Sequence, residues 1–356
     1  MRVNVQALGA GDIIDRAVRL YRKHFATLVL IAAPPVIIGT ALSLAWLQLS
    51  RYIFFSGGYS PLESTIYTLF TVLGTTLIWF TETVLTLAVM GGASRNFVRH
   101  LLFSEAISFS ATYKNLKDRL SGLLVSSTII LTVLGIIGFI LLHLGLIVAI
   151  LLITLISLVL AVIPPLAVIV SVAAGVVVIG GTYWLFCLLA SRFAYVPQVM
   201  TVEDQGVFPS IGRSFSLASG NVKRFAALFA FTTLVTYSAL AILYVPLGWY
   251  AWYHGVEMFS FDSTMTPAWL EISQQLIWQA SFVIMSPVWM IGLCLLYVDE
   301  RVRHEGYDIE LMAATRLGEI PNVPSTYVNP LQPALGSVQP VETPDASFPG
   351  STLGLK

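Results

Sequence analysis

Glu82, in the stretch LIWFTETVLTL, is the one carboxylate deep inside a long apolar run of this chain. An ionisable side chain at such a depth is costly to bury and by default marks a candidate functional position. It could line a polar cavity, relay a proton or pair across a helix bundle. As a protonated acid bonded to Thr81, Thr83 or the hydroxyls of another helix, it would be structural instead. His143 closes an apolar stretch, where its ring can simply reach the interface. GGASRN at 91–96 echoes the Gly-x-Ser pattern of intramembrane serine hydrolases. A nucleophile needs a base within hydrogen-bonding reach, however, and Ser94 has only Arg95 beside it and no His expected on a facing span. The glycines there fit close helix packing better. Cys187 and Cys294 lie in apolar segments without a CxxC or His companion, which argues against a metal site or a disulfide framework.

The densest charge is VDERVRHEGYDIE at 298–310, where acids and bases alternate just past an apolar run. Its acids and His304 could suggest a metal. Alternating signs on a short helix more often make a salt-bridged surface or a dock for another chain, with Arg213 or Arg16 as partners. A second polar feature is repeated: SFSATYKNLKDRL from Ser108 and SFSLASGNVKRFA from Ser214 share Ser-Phe-Ser, Asn and Lys at the same spacing. A looser third version, GDIIDRAVRLYRKHF, places Ile14, Val18, Tyr21 and Phe25 on one helical stripe and most of its charge off it. Each copy precedes an apolar run. Amphipathic helices of this kind bury one side at the headgroup boundary and present Lys and Arg to anionic lipid. Ser and Asn could cap or turn the chain into the next span, or help Lys117 and Lys223 hold a lipid phosphate.

These polar elements sit in a chain that is 56% hydrophobic and 11% charged over 356 residues, far from the roughly 25% charge of soluble domains. The composition predicts an integral membrane protein, with no nucleic-acid partner and no cofactor. Runs of about 20 apolar residues, enough to cross a bilayer, fall near 26–48, 66–91, 122–143, 225–250 and 275–298. The apolar region between 122 and 190 could hold two or three crossings. Charge favours two: pairing the spans as hairpins places all of the 19 Lys and Arg except Arg51 on one side, the cytoplasmic one. The fourth span is then 167–191, and 144–166 becomes a re-entrant or extra in-membrane segment around Pro164-Pro165, tolerated where protein covers its backbone. The predicted fold is an all-α polytopic bundle of six transmembrane helices in three hairpins. Each hairpin follows a cytoplasmic amphipathic interfacial helix, near 11–25, 103–119 and 208–224. Trp249, Trp252 and Trp269 form an aromatic belt at the outer side, a charged cytoplasmic helix covers 299–316, and the Pro- and Ser-rich 318–356 is a disordered tail. The membrane domain spans 1–317. No cleavable signal peptide is expected, because residues 11–25 are charged and amphipathic.

Three stretches carry a resemblance: LGAGDIIDRAVRLYRKHF at 8–25, VEDQGVFPSIGRSFSLASGNVKRF at 202–225 and LCLLYVDERVRHEGYDIELM at 293–312. Together they resemble the signatures of the bacterial glycerophosphoryl diester phosphodiesterase membrane domain family. Members usually show a Trp where Phe215 follows Arg213-Ser214, and a Glu-Gly step where Glu203 and Gly206 are separated here. The resemblance implies a multi-span bacterial inner-membrane domain. The phosphodiesterase chemistry of the family name belongs to a soluble barrel of about 250 residues, for which the roughly 45 residues after Met312 leave no room. The expectation is therefore a non-enzymatic plasma-membrane protein, multi-pass with both termini cytoplasmic, acting as scaffold or accessory subunit toward anionic lipids or a membrane or cytoplasmic protein. Its candidate contacts are Arg16, Arg19, Lys117, Arg213, Lys223, Arg301 and Arg303. The alternative is a transporter or lipid-handling protein with a pathway around Glu82.

Overall fold

The computed structural model describes residues 8–54, 61–103, 105–256, 258 and 267–306. The tail expected at 318–356, the 307–316 part of the charged helix, and with it Asp308 and Glu310, lie outside them. The described residues are all-α. In order they form α1 (Ala10–Lys23), α2 (Phe25–Phe54), α3 (Pro61–Phe103), α4 (Phe109–Asp118), α5 (Leu120–Val159), α6 (Pro164–Phe193), α7 (Val196–Val202), α8 (Val207–Leu217), α9 (Val222–Tyr253) and α10 (Ala268–Glu305). Six helices, or helix runs, are long and apolar enough to cross a membrane: α2, α3, α5, α6 with α7, α9 and α10. The chain reads as a polytopic membrane protein.

Short helices α1, α4 and α8 precede α2, α5 and α9, at the places the three amphipathic stretches predict. The α1 face that packs inward is Ile13, Ala17 and Tyr21, with Ile14 and Val18 flanking it, while Phe25 is exposed. The expected stripe is therefore displaced by about one position. The chain breaks only at His24 (φ −120°, ψ 28°) before α2, and in nearly the same conformation at Arg119 (φ −126°, ψ 21°) before α5. At both breaks the N–H bonds back to two carbonyls of the preceding helix, so the turn is closed without a cap residue. Between α8 and α9 the break is longer and uses Gly220 at φ +85°, a backbone region that favours glycine.

The repeat does not keep its register. Ser108 is the N-cap of α4, its Oγ accepting the Ala111 N–H at 3.1 Å. Ser214 instead lies near the end of α8, where its Oγ donates to the Arg192 carbonyl at 2.7 Å and accepts the Tyr195 N–H at 3.2 Å. Asn115 sits inside α4 and donates to the Gly92 carbonyl; Asn221 is the N-cap residue of α9 and donates to the Tyr195 hydroxyl. Five matching letters thus occupy two different places relative to the helix break. Ser108→Ala should cost about 1 kcal/mol as a lost cap. Ser214→Ala, which strands a buried N–H and a carbonyl together, should cost about 2 kcal/mol or more. Chemical denaturation of the two variants in detergent would show the order, and equal losses would contradict it.

α10 is the central helix. From Met290 to Glu300 every residue is buried, against α9, α2, α1, α3 and α8. α5 and α6 pack chiefly on each other, and α5 also lies along α3 near its start. The 144–166 region is not a separate element. α5 runs unbroken to Val159, a four-residue turn follows, and α6 begins at Pro164 with Pro at its first two positions. Helix length absorbs the surplus residues that the sequence assigned to a re-entrant piece. Proline at a helix start loses only N–H groups that would be unbonded anyway, so the Pro pair opens α6 instead of breaking a segment.

Prolines inside α2 (Pro34, Pro35) and α10 (Pro287) each remove an N–H from the ladder and leave carbonyls without their usual donor. Two tyrosines from the short helices supply donors at or beside these carbonyls. Tyr113 of α4 donates to Ile31, four residues before Pro35, at 3.1 Å. Tyr21 of α1 donates to Ile284 at 2.6 Å, one residue past Val283, the carbonyl whose donor Pro287 removes. Burial pushes each hydroxyl up to about 12, so both remain donors at any ordinary pH. Tyr113→Phe should lower unfolding free energy by about 1–2 kcal/mol, the Ile31 carbonyl being left unbonded, and Tyr21→Phe by about 1 kcal/mol for the lost hydrogen bond alone. A pair of thermal melts indistinguishable from wild type would refute that coupling of short helix to long helix.

Candidate functional site

Two polar places stand out. The first is a collar at the end of the bundle where the short helices gather. Arg224, in the first turn of α9, reaches the end of α10 and pairs with both Asp299 and Glu300, the latter at 2.5 Å. Both carboxylates are buried. Asp299 also accepts the Leu8 N–H at 2.6 Å and the Arg303 guanidinium at 2.7 Å, while Arg303 donates to the Leu8 carbonyl at 2.7 Å. This clamps the segment before α1 onto α10. A few residues along, Arg213 of α8 pairs with Glu203 at 3.1 Å and with Glu305, which also takes Arg301 at 3.0 Å. Tyr297 donates to Glu203 at 2.8 Å. His304 faces Glu300 at 3.5 Å. The i, i+4 spacing of Asp299/Arg303, Glu300/His304 and Arg301/Glu305 sets these pairs on neighbouring strips of one helix.

The collar draws on all three of the stretches quoted above: Leu8 from the first, Glu203, Arg213 and Arg224 from the second, Tyr297 to Glu305 from the third. No family model, curated protein or solved structure matches this chain. The collar must then be read from its own geometry. Every acid in it has a base or hydroxyl against it, and no group of three metal-ligating side chains forms among the described residues. Of the expected partners of the charged stretch, Arg213 takes part in the collar and Arg16 does not.

The candidate contacts divide accordingly. Arg213, Arg301 and Arg303 are occupied within the collar. Arg19, Lys117 and Lys223 are exposed, as are Arg22, Lys23 and Lys114, and Arg16 is half-buried. Phe25, Phe109, Phe208 and Phe215 are exposed on the same short helices or their junctions. The far end of the bundle holds Trp249 and Trp252, both exposed, and Trp269 against Tyr250 with ring centres 5.2 Å apart. Arg51, the one cation expected on that side, pairs at 2.5 Å with Glu271 in the first turn of α10.

The second place is Glu82, buried midway along α3. Its expected hydroxyl partners are turned elsewhere: Thr81 and Thr83 bond carbonyls of their own helix, of Leu77 and Trp79. Its partner is Gln279 of α10, whose amide donates to Oε2 at 3.1 Å. The carboxylate lies against Gly39 of α2, where a Cβ would overlap Oε2, Cδ and Cγ. Gln279 also lines a shallow groove of about 480 Å³ between α2 and α10, with Thr40, Val36, Ala41 and Leu276. Sequence reasoning passed over Gln279. The signal was present, since an amide eleven residues into α10 is itself a polar group at mid-span.

The weaker chemical candidates dissolve. His143 is exposed mid-way along α5 instead of at a span end, its ring against Phe139 and Nδ1 against the Phe139 carbonyl at 2.8 Å. Ser94 is buried, donating to Met90 and facing only Cys294 at 3.5 Å. Gly92 packs on the backbone of α4 at Thr112. Cys187 and Cys294 are free, buried thiols.

Proposed function

We propose that this chain is a non-enzymatic inner-membrane protein, scaffold or accessory subunit, that works through its collar end. In this reading that end is cytoplasmic, α1, α4 and α8 lie at the membrane interface, and each opens a hairpin of two spans. The carrying observation is the division of charge. One set of cations locks the ends of α8, α9 and α10 together, while a separate exposed set, Arg19, Arg22, Lys23, Lys114, Lys117 and Lys223, lies on the short helices and at the start of α9, elements that also carry or adjoin exposed phenylalanines. That pairing of basic and aromatic side chains suits anionic headgroups, or the acidic face of a partner. The resemblance to the glycerophosphoryl diester phosphodiesterase membrane domain belongs to the same proposal. It is supported by the meeting of the three quoted stretches, as far as the structure describes them, in one cluster.

Photo-crosslinking residues placed at Lys117 and Lys223 in cells test the reading. Adducts to one recurring protein, or to anionic phospholipid, are expected there and not at Trp252. Lys117→Glu with Lys223→Glu should lower retained anionic lipid several-fold in mass spectra of the purified protein, with melting unchanged, since neither side chain is paired inside. Retention equal to wild type and no recurring adduct would remove the proposal.

A second reading, a transporter or lipid-handling pathway around Glu82, is favoured by one observation: Gln279 connects the buried carboxylate to a groove on the apolar flank of α2 and α10. A Glu82→Gln variant that melts like wild type yet fails to complement a deletion strain would support it. Full complementation would count against it.

A further inference from the structure

α5 is 40 residues long, about 60 Å, against a hydrocarbon layer of about 30 Å. α9, which packs on α6, needs only the 27 steps from Val222 to Trp249, about 40 Å, to pass from the collar to the tryptophan-bearing end. If the α5–α6 hairpin stood parallel to α9, its tip would project about 20 Å beyond that end. The tip is unfit for water. No Lys, Arg, Asp or Glu occurs between Arg119 and Arg192, and from Leu158 to Val170 there is no polar side chain at all. Leu158, Val159, Val162 and Ile163 are all exposed, Val162 at 92%.

The start of α6 closes its own backbone donors, while in the turn before it the N–H groups of Ala161 and Val162 carry no backbone bond. A helix start normally leaves several N–H groups unbonded. Here two of those positions are Pro164 and Pro165, which have none. The Ile163 N–H bonds to the Leu160 carbonyl at 2.9 Å, and the N–H groups of Leu166 and Ala167 both bond to the Ile163 carbonyl at 3.1 Å. At the other arm the Leu160 N–H bonds to Ile156 at 2.8 Å. Backbone enters hydrocarbon only when its polar groups are satisfied internally, and the donors that begin α6 meet that condition with no help from another element.

We propose that the α5–α6 turn is a membrane-immersed tip: Leu158–Val170 lies among lipid acyl chains, and the hairpin leans to keep it there instead of projecting into the outer aqueous space. The occupant of this apolar surface is the bilayer interior. The inference rests on the six-span reading and not on the scaffold role. A long hairpin accommodates its excess hydrophobic length by tilting; α5 and α6 are anchored to α3, α7, α8 and α9, with the buried residues of α5 all near its start, and toward the tip they have chiefly each other as neighbours. Lipid also covers the exposed apolar face without requiring any partner.

The test uses purified full-length protein, reconstituted at one molecule or fewer per vesicle of phosphatidylcholine and phosphatidylglycerol. An environment-sensitive fluorophore is attached at Val162→Cys, at Leu158→Cys and, for reference, at Tyr253→Cys beyond the tryptophans; unsubstituted protein, with its two buried thiols, is the blank. Lipids carrying a nitroxide on the acyl chain should quench positions 158 and 162 at least threefold more than aqueous iodide does. The reverse is expected at 253, which checks the membrane frame separately. Iodide quenching at 162 equal to that at 253 would overturn the proposal by putting the tip in water. Protection of 162 from both quenchers would overturn it equally, the tip then being covered by another copy of the chain.

Discussion

Arg224→Met is expected to cost about 3–5 kcal/mol of unfolding free energy in mild detergent, the largest single loss on the collar face. The guanidinium is shared by Asp299 and Glu300, and these carboxylates are 3% and 0% exposed. Removing the cation leaves Asp299 with Arg303 and the Leu8 N–H, but leaves Glu300 with only His304 at 3.5 Å. An uncompensated buried charge, more than a lost attraction, drives the effect. Arg224→Lys should recover only part of the loss, because a point-like ammonium cannot present two parallel N–H arms to two acids. The adjacent Lys223→Met, which touches nothing buried, should stay within about 0.5 kcal/mol. Adding Glu300→Gln to Arg224→Met should recover part of the loss, since the neutral amide no longer needs the cation while Asp299 keeps Arg303 and the Leu8 N–H. If Arg224→Met and Lys223→Met melt alike, α9 and α10 are not joined as described.

The contrast between neighbours 223 and 224 shows where sequence reading succeeds and stops. Charge placement and apolar length were enough to locate the six long helices and the short helices before α2, α5 and α9, because both follow from what a bilayer tolerates. They could not say which cation turns inward. Lys223 and Arg224 differ by one step of about 100° around a helix, and the direction depends on how α9 is rotated against α10. The pairing of repeated letters misled for a related reason: Ser108 and Ser214 match in spacing, but one begins a helix and the other nearly ends one, and the location of the break is decided by Gly220 and by contacts with Tyr195. The surplus between 144 and 166 was assigned to its own segment on the assumption that spans have bilayer length, whereas α5 is about twice that length. His143 was misplaced by the same assumption. The burial of Glu82 is legible in its place within an apolar run, but its partner is not, since Gln279 lies 197 residues away and only the packing of α3 on α10 brings the two together.

That packing yields the second large effect. Gly39→Ala should destabilise the protein by about 2–6 kcal/mol, combining an overpacking cost of about 1–3 kcal/mol with the cost of about 1–3 kcal/mol for a buried acceptor pulled from its donor. The new methyl would occupy the space of the Glu82 carboxyl group, and moving that group aside breaks its hydrogen bond from Gln279. α2 also lacks two ladder N–H groups at Pro34 and Pro35 just before Gly39, and the lower end of the range corresponds to strain relieved by helix movement there. The decisive comparison is the double mutant. Glu82→Ala alone opens a cavity and leaves the Gln279 amide unbonded, yet in the Gly39→Ala background it removes the clash. The pair should therefore be more stable than the sum of the single losses predicts by at least about 1 kcal/mol. Strict additivity would mean that α2 and α3 do not approach each other at this point. Strong coupling would establish Glu82 as a helix-packing element, and function retained in the double mutant would then leave the pathway reading without its central residue.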